Sequence, residues 1–295
     1  MEYAVKTTAL TKLYGDKIAV NKMSVNIEKG AIYGLIGRNG AGKTTFLKML
    51  SGLVTPDGGS MEFFGGGNLD KQRMRMGSLI EAPALYFSET AYENMRRFAI
   101  LTGTPDSRIS DLLGFVGLNN VGDKKVRAFS LGMKQRLGIA IALLGDPEIL
   151  VLDEPVNGLD PAGIRDIRDM IKYLSGKGVT FIISSHHLDE LGKIATAYGI
   201  MNDGVLTEEI SAEDLAEKCR SIIRIRVDDS EKAKEVLISA FPQATVGGDG
   251  DEVLVAGGGD VAEINACLAQ NGVKIYGLIA DDSALENFLI SRMGR

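Results

Sequence analysis

Three short stretches carry residues whose types and spacing could do chemistry. The first is GRNGAGKT, Gly37 to Thr44, which fits G-x-x-x-x-G-K-[ST]. Glycines at these positions let backbone N–H groups turn inward around phosphate oxygens, and the start of a following helix adds a favourable dipole. Lys43 is then placed to reach the β- and γ-phosphates of a nucleotide, and Thr44 to offer a hydroxyl to Mg²⁺. The second is ILVLDEP, Ile149 to Pro155. Four apolar residues predict a buried strand, with Asp153 emerging at its carboxyl end, the edge where such sheets bind ligands. Asp153 is expected to hold Mg²⁺ through its water shell, and Glu154 to polarise an attacking water. The third is SSHHLDE, which holds both histidines of the chain, His186 and His187. Neighbours in sequence point in different directions, so the pair is not expected to share one task.

These residues need a scaffold. Ala31 to Ile36 is an apolar run that reads as a buried strand feeding the glycine-rich loop, and Thr44 to Leu53 has helical spacing. Ile149 to Leu152 and Val179 to Ser184 are continuous apolar runs of the kind that suit a parallel sheet covered on both faces. The helical segment 162–176 between them predicts a right-handed crossover. Residues 3–9 and 22–28 alternate like strands of a small antiparallel layer, and 58–64 and 76–80 read as short strands. From Thr90 to about Gly145 the pattern is mostly helical, with breaks near Gly103 and Gly122.

The composition shifts after about Ser211. The remainder reads as strand 221–227, helix 230–240, strands 243–247 and 251–256, helix 259–271, strand 273–280 and helix 282–292. A βαββαβ order with a trailing helix predicts a ferredoxin-like α+β second domain. The expected division is 1–210 and 211–295.

The chain has 295 residues, 45% of them hydrophobic and 24% charged, which is ordinary globular composition with room for two cores. Its net charge of −6 argues against a nucleic-acid partner, because phosphate backbones select basic surfaces. No apolar run approaches the roughly 18 residues of a membrane span, and MEYAVKTTALTK lacks the apolar core of a signal peptide. The two cysteines, Cys219 and Cys267, are too few for a disulfide framework and fit a reducing cytoplasm.

The stretch FSLGMKQRLGIA, Phe129 to Ala140, precedes the acidic strand, and NGLDP, 157–161, follows it. With the glycine-rich loop, ILVLDEP and SSHHLDE, these occur in one order. In that order the chain resembles the ATP-binding subunit of an ABC transporter over residues 2 to about 210. The resemblance implies a P-loop NTPase cassette with a RecA-like parallel core, an antiparallel β layer and a helical subdomain. It implies ATP and Mg²⁺ as ligands. The nucleotide set becomes Gly37, Arg38, Asn39, Gly40, Ala41, Gly42, Lys43, Thr44 and Thr45, with Tyr14 stacked on adenine.

Ser130 and Gly132 match the family's signature motif, which faces the γ-phosphate bound by the opposite subunit of a homodimer. Leu131 and Met133 depart from the usual glycine and glutamine there. Asp160 matches the loop crossing the dimer seam, and is also a helix N-cap type before Pro161. His186 matches the histidine that touches the γ-phosphate and helps hold the attacking water, whereas His187 is expected to face away from it. Glu81, in SLIEAPALY, stands where most members carry glutamine, beside the metal. It is expected to strengthen Mg²⁺ binding or act as an extra base.

This glutamate, SLGMKQR and the added C-terminal domain resemble the bacitracin- and lantibiotic-type exporters. A separate membrane permease is the implied partner, docking near Glu81 and residues 82–120. The implied location is the cytoplasmic face of the membrane. A soluble cassette acting on a ribosome or DNA is the alternative, expected to carry two cassettes or a long coiled coil. The C-terminal domain reads as a packing or dimerising unit, with a ligand-sensing module as the other possibility.

Overall fold

The structure is a computed structural model that describes residues 2–186, 188–218, 222–256 and 259–281. It forms two compact units that part between Ala212 and Glu213.

The first unit runs β1 (Tyr3–Tyr14), β2 (Lys17–Met23), β3 (Asn26–Glu28), β4 (Ile32–Ile36), α1 (Lys43–Leu50), β5 (Gly58–Phe63), α2 (Leu69–Arg73), β6 (Met76–Leu79), α3 (Ala91–Thr102), α4 (Asp106–Phe115), α5 (Leu131–Ala142), β7 (Ile149–Asp153), α6 (Pro161–Ser175), β8 (Thr180–Ser185), α7 (Leu188–Gly192), β9 (Ala197–Asn202) and β10 (Val205–Ser211). A short helix α8 (Ala212–Lys218) follows.

Two sheets organise this unit. β1 pairs antiparallel with β2, β3 and β5. The second sheet has the order β10-β9-β4-β8-β7-β6, parallel throughout except for β10. Every residue of β4, β7 and β8 is buried. That is why their sequences are continuous apolar runs and not alternating ones. Phe46, Leu47, Met49 and Leu50 of α1 join Tyr33, Leu35, Ile149, Val151 and Ile182 in one core, so the helix after the glycine-rich loop is anchored on the sheet by its apolar face.

The 90–145 region separates into α3, α4 and α5. α3 starts in a capping box: the Thr90 hydroxyl accepts from the Glu93 amide at 3.1 Å, and the Glu93 carboxylate accepts from the Thr90 amide at 2.7 Å. Those bonds, with Lys125, hold the Glu93 carboxyl below its ordinary range.

Several boundaries differ from the sequence reading. α1 ends at Leu50 and not Leu53, because the chain turns through Gly52 at φ 77°. The β9–β10 hairpin was not anticipated. β9 reads AYGIMN, with glycine in its centre, and gives a weak strand signal. Gly199 lies where the Tyr33 hydroxyl crosses, leaving no room for a side chain.

The second unit runs β11 (Ile222–Val227), α9 (Ser230–Ala240), β12 (Thr245–Gly247), β13 (Glu252–Ala256), α10 (Val261–Gln270) and β14 (Ile275–Asp281). Its sheet order is β12-β13-β11-β14, all antiparallel, which is the ferredoxin-like arrangement. Ile223, Ile225, Val253, Val255, Leu237, Ile264 and Leu268 form a core of its own. The expected helix 282–292 and Cys219 lie outside the described residues. Cys267 is a free, half-buried thiol. No helix among the described residues is long and apolar enough to cross a membrane.

Candidate functional site

The site forms where β4, β7 and β8 end side by side. In the parallel ladder Ile36 pairs with Ser185, and Asp153 with Ser184. The glycine-rich loop leaves β4 at that edge and turns into α1. The helix has Gly42 at its N-cap, no side-chain cap and no acidic residue in its first turn. Its leading amides are therefore left uncapped by any side chain of the helix itself, the arrangement that suits a bound anion. Gly42 has φ 101°, and a Cβ there would run into the Ala19 carbonyl and the Met201 methyl. Only glycine allows this approach.

Lys43 is almost fully buried. Its ammonium donates to the carbonyls of Gly37 at 2.7 Å and Arg38 at 3.3 Å, and lies 3.6 Å from Glu154 Oε1. A cavity of about 290 Å³ opens over the loop. Tyr14, Arg38, Asn39, Gly40, Gly42, Lys43, Thr44, Thr45 and Glu154 line it. The Tyr14 ring is half exposed, with Lys12 Nζ 5.6 Å from its centre. Gly37 and Ala41 belong to the same loop, and Ala41 is buried in the core beneath it.

Thr44 Oγ1 donates to Asp153 Oδ2 at 2.8 Å, joining the loop to the end of β7. Glu154 follows at φ 48°, a left-handed conformation unusual for a glutamate. Its Oε1 is buried without a hydrogen bond, and its Oε2 lies 2.8 Å from His186 Nδ1. His186 is exposed just past β8. So the end of β7 and the residue after it supply two carboxylates, the residue after β8 a histidine, and the start of α1 a lysine and a hydroxyl, all at one sheet edge. His187 lies outside the described residues.

Ser130, Gly132 and Asp160, expected at a nucleotide site, lie elsewhere. Ser130 caps α5, its Oγ accepting from the Met133 amide at 3.3 Å, and Leu131 beside it is exposed. Gly132 faces Leu159 across the turn that leads to Asp160. Asp160 caps α6, accepting from the Gly163 amide at 3.0 Å, with Pro161 at the first helical turn. None of the three lines the cavity over the loop. Glu81 does not line it either. It sits two residues past β6 at φ 60°, with its carboxylate 2.6 Å from the ammonium of Lys48 on α1. The expected extra negative charge is therefore met by a lysine.

Sequence reasoning passed over Ser184. This fully buried residue donates from Oγ to Asp153 Oδ1 at 2.5 Å and accepts from the Glu154 amide at 3.0 Å. Its signal was a polar residue closing an apolar strand. Lys48 was also missed, since nothing local links it to Glu81.

The ABC transporter family matches residues 20–157. The chain is 40% identical to the bacitracin transport ATP-binding protein BcrA of Enterococcus faecalis, over 100% of this chain and 97% of that protein. It is 44% identical to the lantibiotic transport ATP-binding protein SrtF of Streptococcus pyogenes, over 70% of this chain and 90% of that one. Among solved structures, cbiO1 of Clostridium perfringens, part of the ABC transporter complex cbiONQ, superposes with a TM-score of 0.65 at 26% identity, covering 73% of this chain and 91% of its own. These comparisons give no support to a cassette acting on a ribosome or DNA. With such identity running through the whole chain, and the phosphate loop and paired carboxylates meeting at one sheet edge, the chain belongs to the ATP-binding subunits of ABC transporters and is an ATPase.

Proposed function

We propose that this ATPase drives a separate membrane permease exporting a peptide antibiotic or a similar amphipathic molecule. The observation that carries the chemistry is the meeting of Lys43, Thr44, Asp153, Glu154 and His186 where three parallel strands end. The cargo class follows the names of the bacitracin and lantibiotic relatives.

The phosphate loop and the leading amides of α1 bind the phosphates of ATP, and Tyr14 offers its ring to the adenine. Thr44 and Asp153 present hard oxygen donors 2.8 Å apart, which fit Mg²⁺ better than a softer metal. When bound, Mg²⁺ neutralises charge on the phosphates. Glu154 takes the proton of the attacking water. His186, bonded to that carboxylate, aims the base and donates to the γ-phosphate as charge grows there.

Ser130 and Asp160 are exposed and Gly132 is half-buried, and none of the three lines the cavity of their own subunit. That placement supports a head-to-tail homodimer, each signature helix completing the partner's site and closure excluding water. The stretch from Tyr86 to Leu101 exposes Tyr86, Phe87, Tyr92, Ile100 and Leu101, and is the surface offered to the permease. Docking there would hold the subunit peripherally on the cytoplasmic side of the membrane.

Glu154→Gln tests this reading. The amide cannot accept the water's proton, so turnover is expected to fall roughly 10²-fold or more while ATP still binds. ATP is then expected to trap a dimer on size-exclusion chromatography. Turnover near wild type would remove Glu154 from the base role.

A further inference from the structure

We infer that Ser184 is a positioning residue for ATP hydrolysis, tying the Asp153 carboxylate and the Glu154 backbone into one rigid unit. The inference rests on the roles proposed above for those two residues.

The β7–β8 register sets Ser184 directly opposite Asp153. Neighbours in a parallel ladder project to the same face, so the hydroxyl reaches the carboxylate without distortion. The direction of each hydrogen bond is then forced. The Glu154 amide can only donate, so the serine oxygen accepts from it, at 3.0 Å. The single hydroxyl proton is left for Asp153 Oδ1, at 2.5 Å. Asp153 thereby receives one hydroxyl on each oxygen: Thr44 on Oδ2 and Ser184 on Oδ1. Thr44 belongs to the nucleotide loop. Ser184 is fully buried in the sheet and holds the carboxylate plane from behind.

The second bond acts on Glu154. A non-glycine residue at φ 48° persists only when its surroundings over-determine it. The Glu154 amide is held by two acceptors of the same residue, the Ser184 carbonyl at 3.1 Å and its hydroxyl. Two residues on, His186 meets the Glu154 carboxylate. The end of β8 therefore grips Glu154 at its backbone and at its side chain. Removing the hydroxyl loosens the aim of both carboxylates, although Ser184 touches neither ATP nor water in this scheme.

The test compares Ser184→Ala with Asp153→Asn. Mn²⁺ binding in the presence of ADP is followed by electron paramagnetic resonance, and ADP binding without metal serves as the check of folding. For Ser184→Ala we expect metal-free ADP binding like wild type and a Mn²⁺ half-saturation raised roughly 10-fold, the scale seen when a partner of a metal-holding side chain is lost. We also expect a lower kcat with little change in KM. Should alanine fail to fold, Ser184→Cys keeps the volume with a thiol too weak to replace the hydroxyl, and the same titration decides. An unchanged Mn²⁺ titration and kcat in the serine variant, with Asp153→Asn impaired, would overturn the inference alone and leave Ser184 as core filling. Unchanged metal binding in Asp153→Asn would overturn the metal role of Asp153 and this inference with it.

Discussion

At the scale of single residues, the contacts of His186 and Glu81 set two expectations. The His186 ring touches the carboxylate of Glu154 and is exposed just past β8. A donor that acts on charge developing in the transition state lowers turnover more than affinity when it is removed. His186→Ala is expected to cut steady-state hydrolysis on the order of 10²-fold with ATP binding nearly intact. His187→Ala is expected to leave both close to wild type. The reverse pattern would exchange the two assignments. Glu81 is a different case, because its carboxylate is engaged by Lys48. Glu81→Gln removes one negative charge and releases that lysine. ATP binding is expected to persist while the Mg²⁺ dependence of hydrolysis shifts to higher concentration. An unchanged Mg²⁺ titration would mean that the lysine has already cancelled the charge and that Glu81 lies outside the metal's influence.

At the scale of elements, one buried amide joins the proposed docking segment to α3. Asn94 is fully buried. Its Oδ1 accepts from the Tyr86 amide at 2.7 Å, and its Nδ2 donates to the carbonyls of Tyr86 at 3.0 Å and Thr90 at 2.8 Å. Arg97, one turn along, lies over the Tyr86 ring at 4.5 Å and pairs with Glu89. The stretch carrying Tyr86 and Phe87 is thus fastened to the helix by polar contacts of Asn94 and Arg97. Asn94→Ala leaves the part-buried amide and carbonyl of Tyr86 without their side-chain partner, and a polar group kept from water without a partner costs about 1–3 kcal/mol. A loss of about 2 kcal/mol in chemical denaturation is expected. Basal ATPase of the isolated subunit should stay near wild type, while stimulation by the permease falls. Equal loss of both activities would place the effect in the cassette's stability and not in docking.

At the scale of the whole molecule, each of the two units has its own apolar core. A unit with a complete core can fold by itself. Residues 1–212 expressed alone are expected to melt cooperatively and to bind ADP. If the second unit strengthens dimerisation, Glu154→Gln in the shortened chain will still form the ATP-dependent dimer, but at higher protein concentration. A dimer of unchanged concentration dependence would leave that unit with another role, such as ligand sensing. A shortened chain that fails to fold would show that the cassette depends on residues beyond Ala212.

The division between what the sequence determined and what folding decided follows the range of the interactions. GRNGAGKT, the strand before it and the helix after it are local patterns, and so are the apolar run that ends in Asp153 and the caps at Ser130 and Asp160. The sequence alone fixed these, because the physics of a phosphate loop, a buried strand or a helix start is contained in a few adjacent residues. The βαββαβ order of the second unit was legible for the same reason. Which side chains meet was settled only by the tertiary structure. Ser184 and Asp153 are 31 residues apart, and the hydrogen bond between them depends on the register of β7 against β8. The pairing of Lys48 with Glu81 depends on α1 lying beside the end of β6. The β9–β10 hairpin hid because Gly199 was chosen by the ring of Tyr33 across the sheet and not by strand propensity. Register and close approach are relations between distant segments, and no window along the chain contains them.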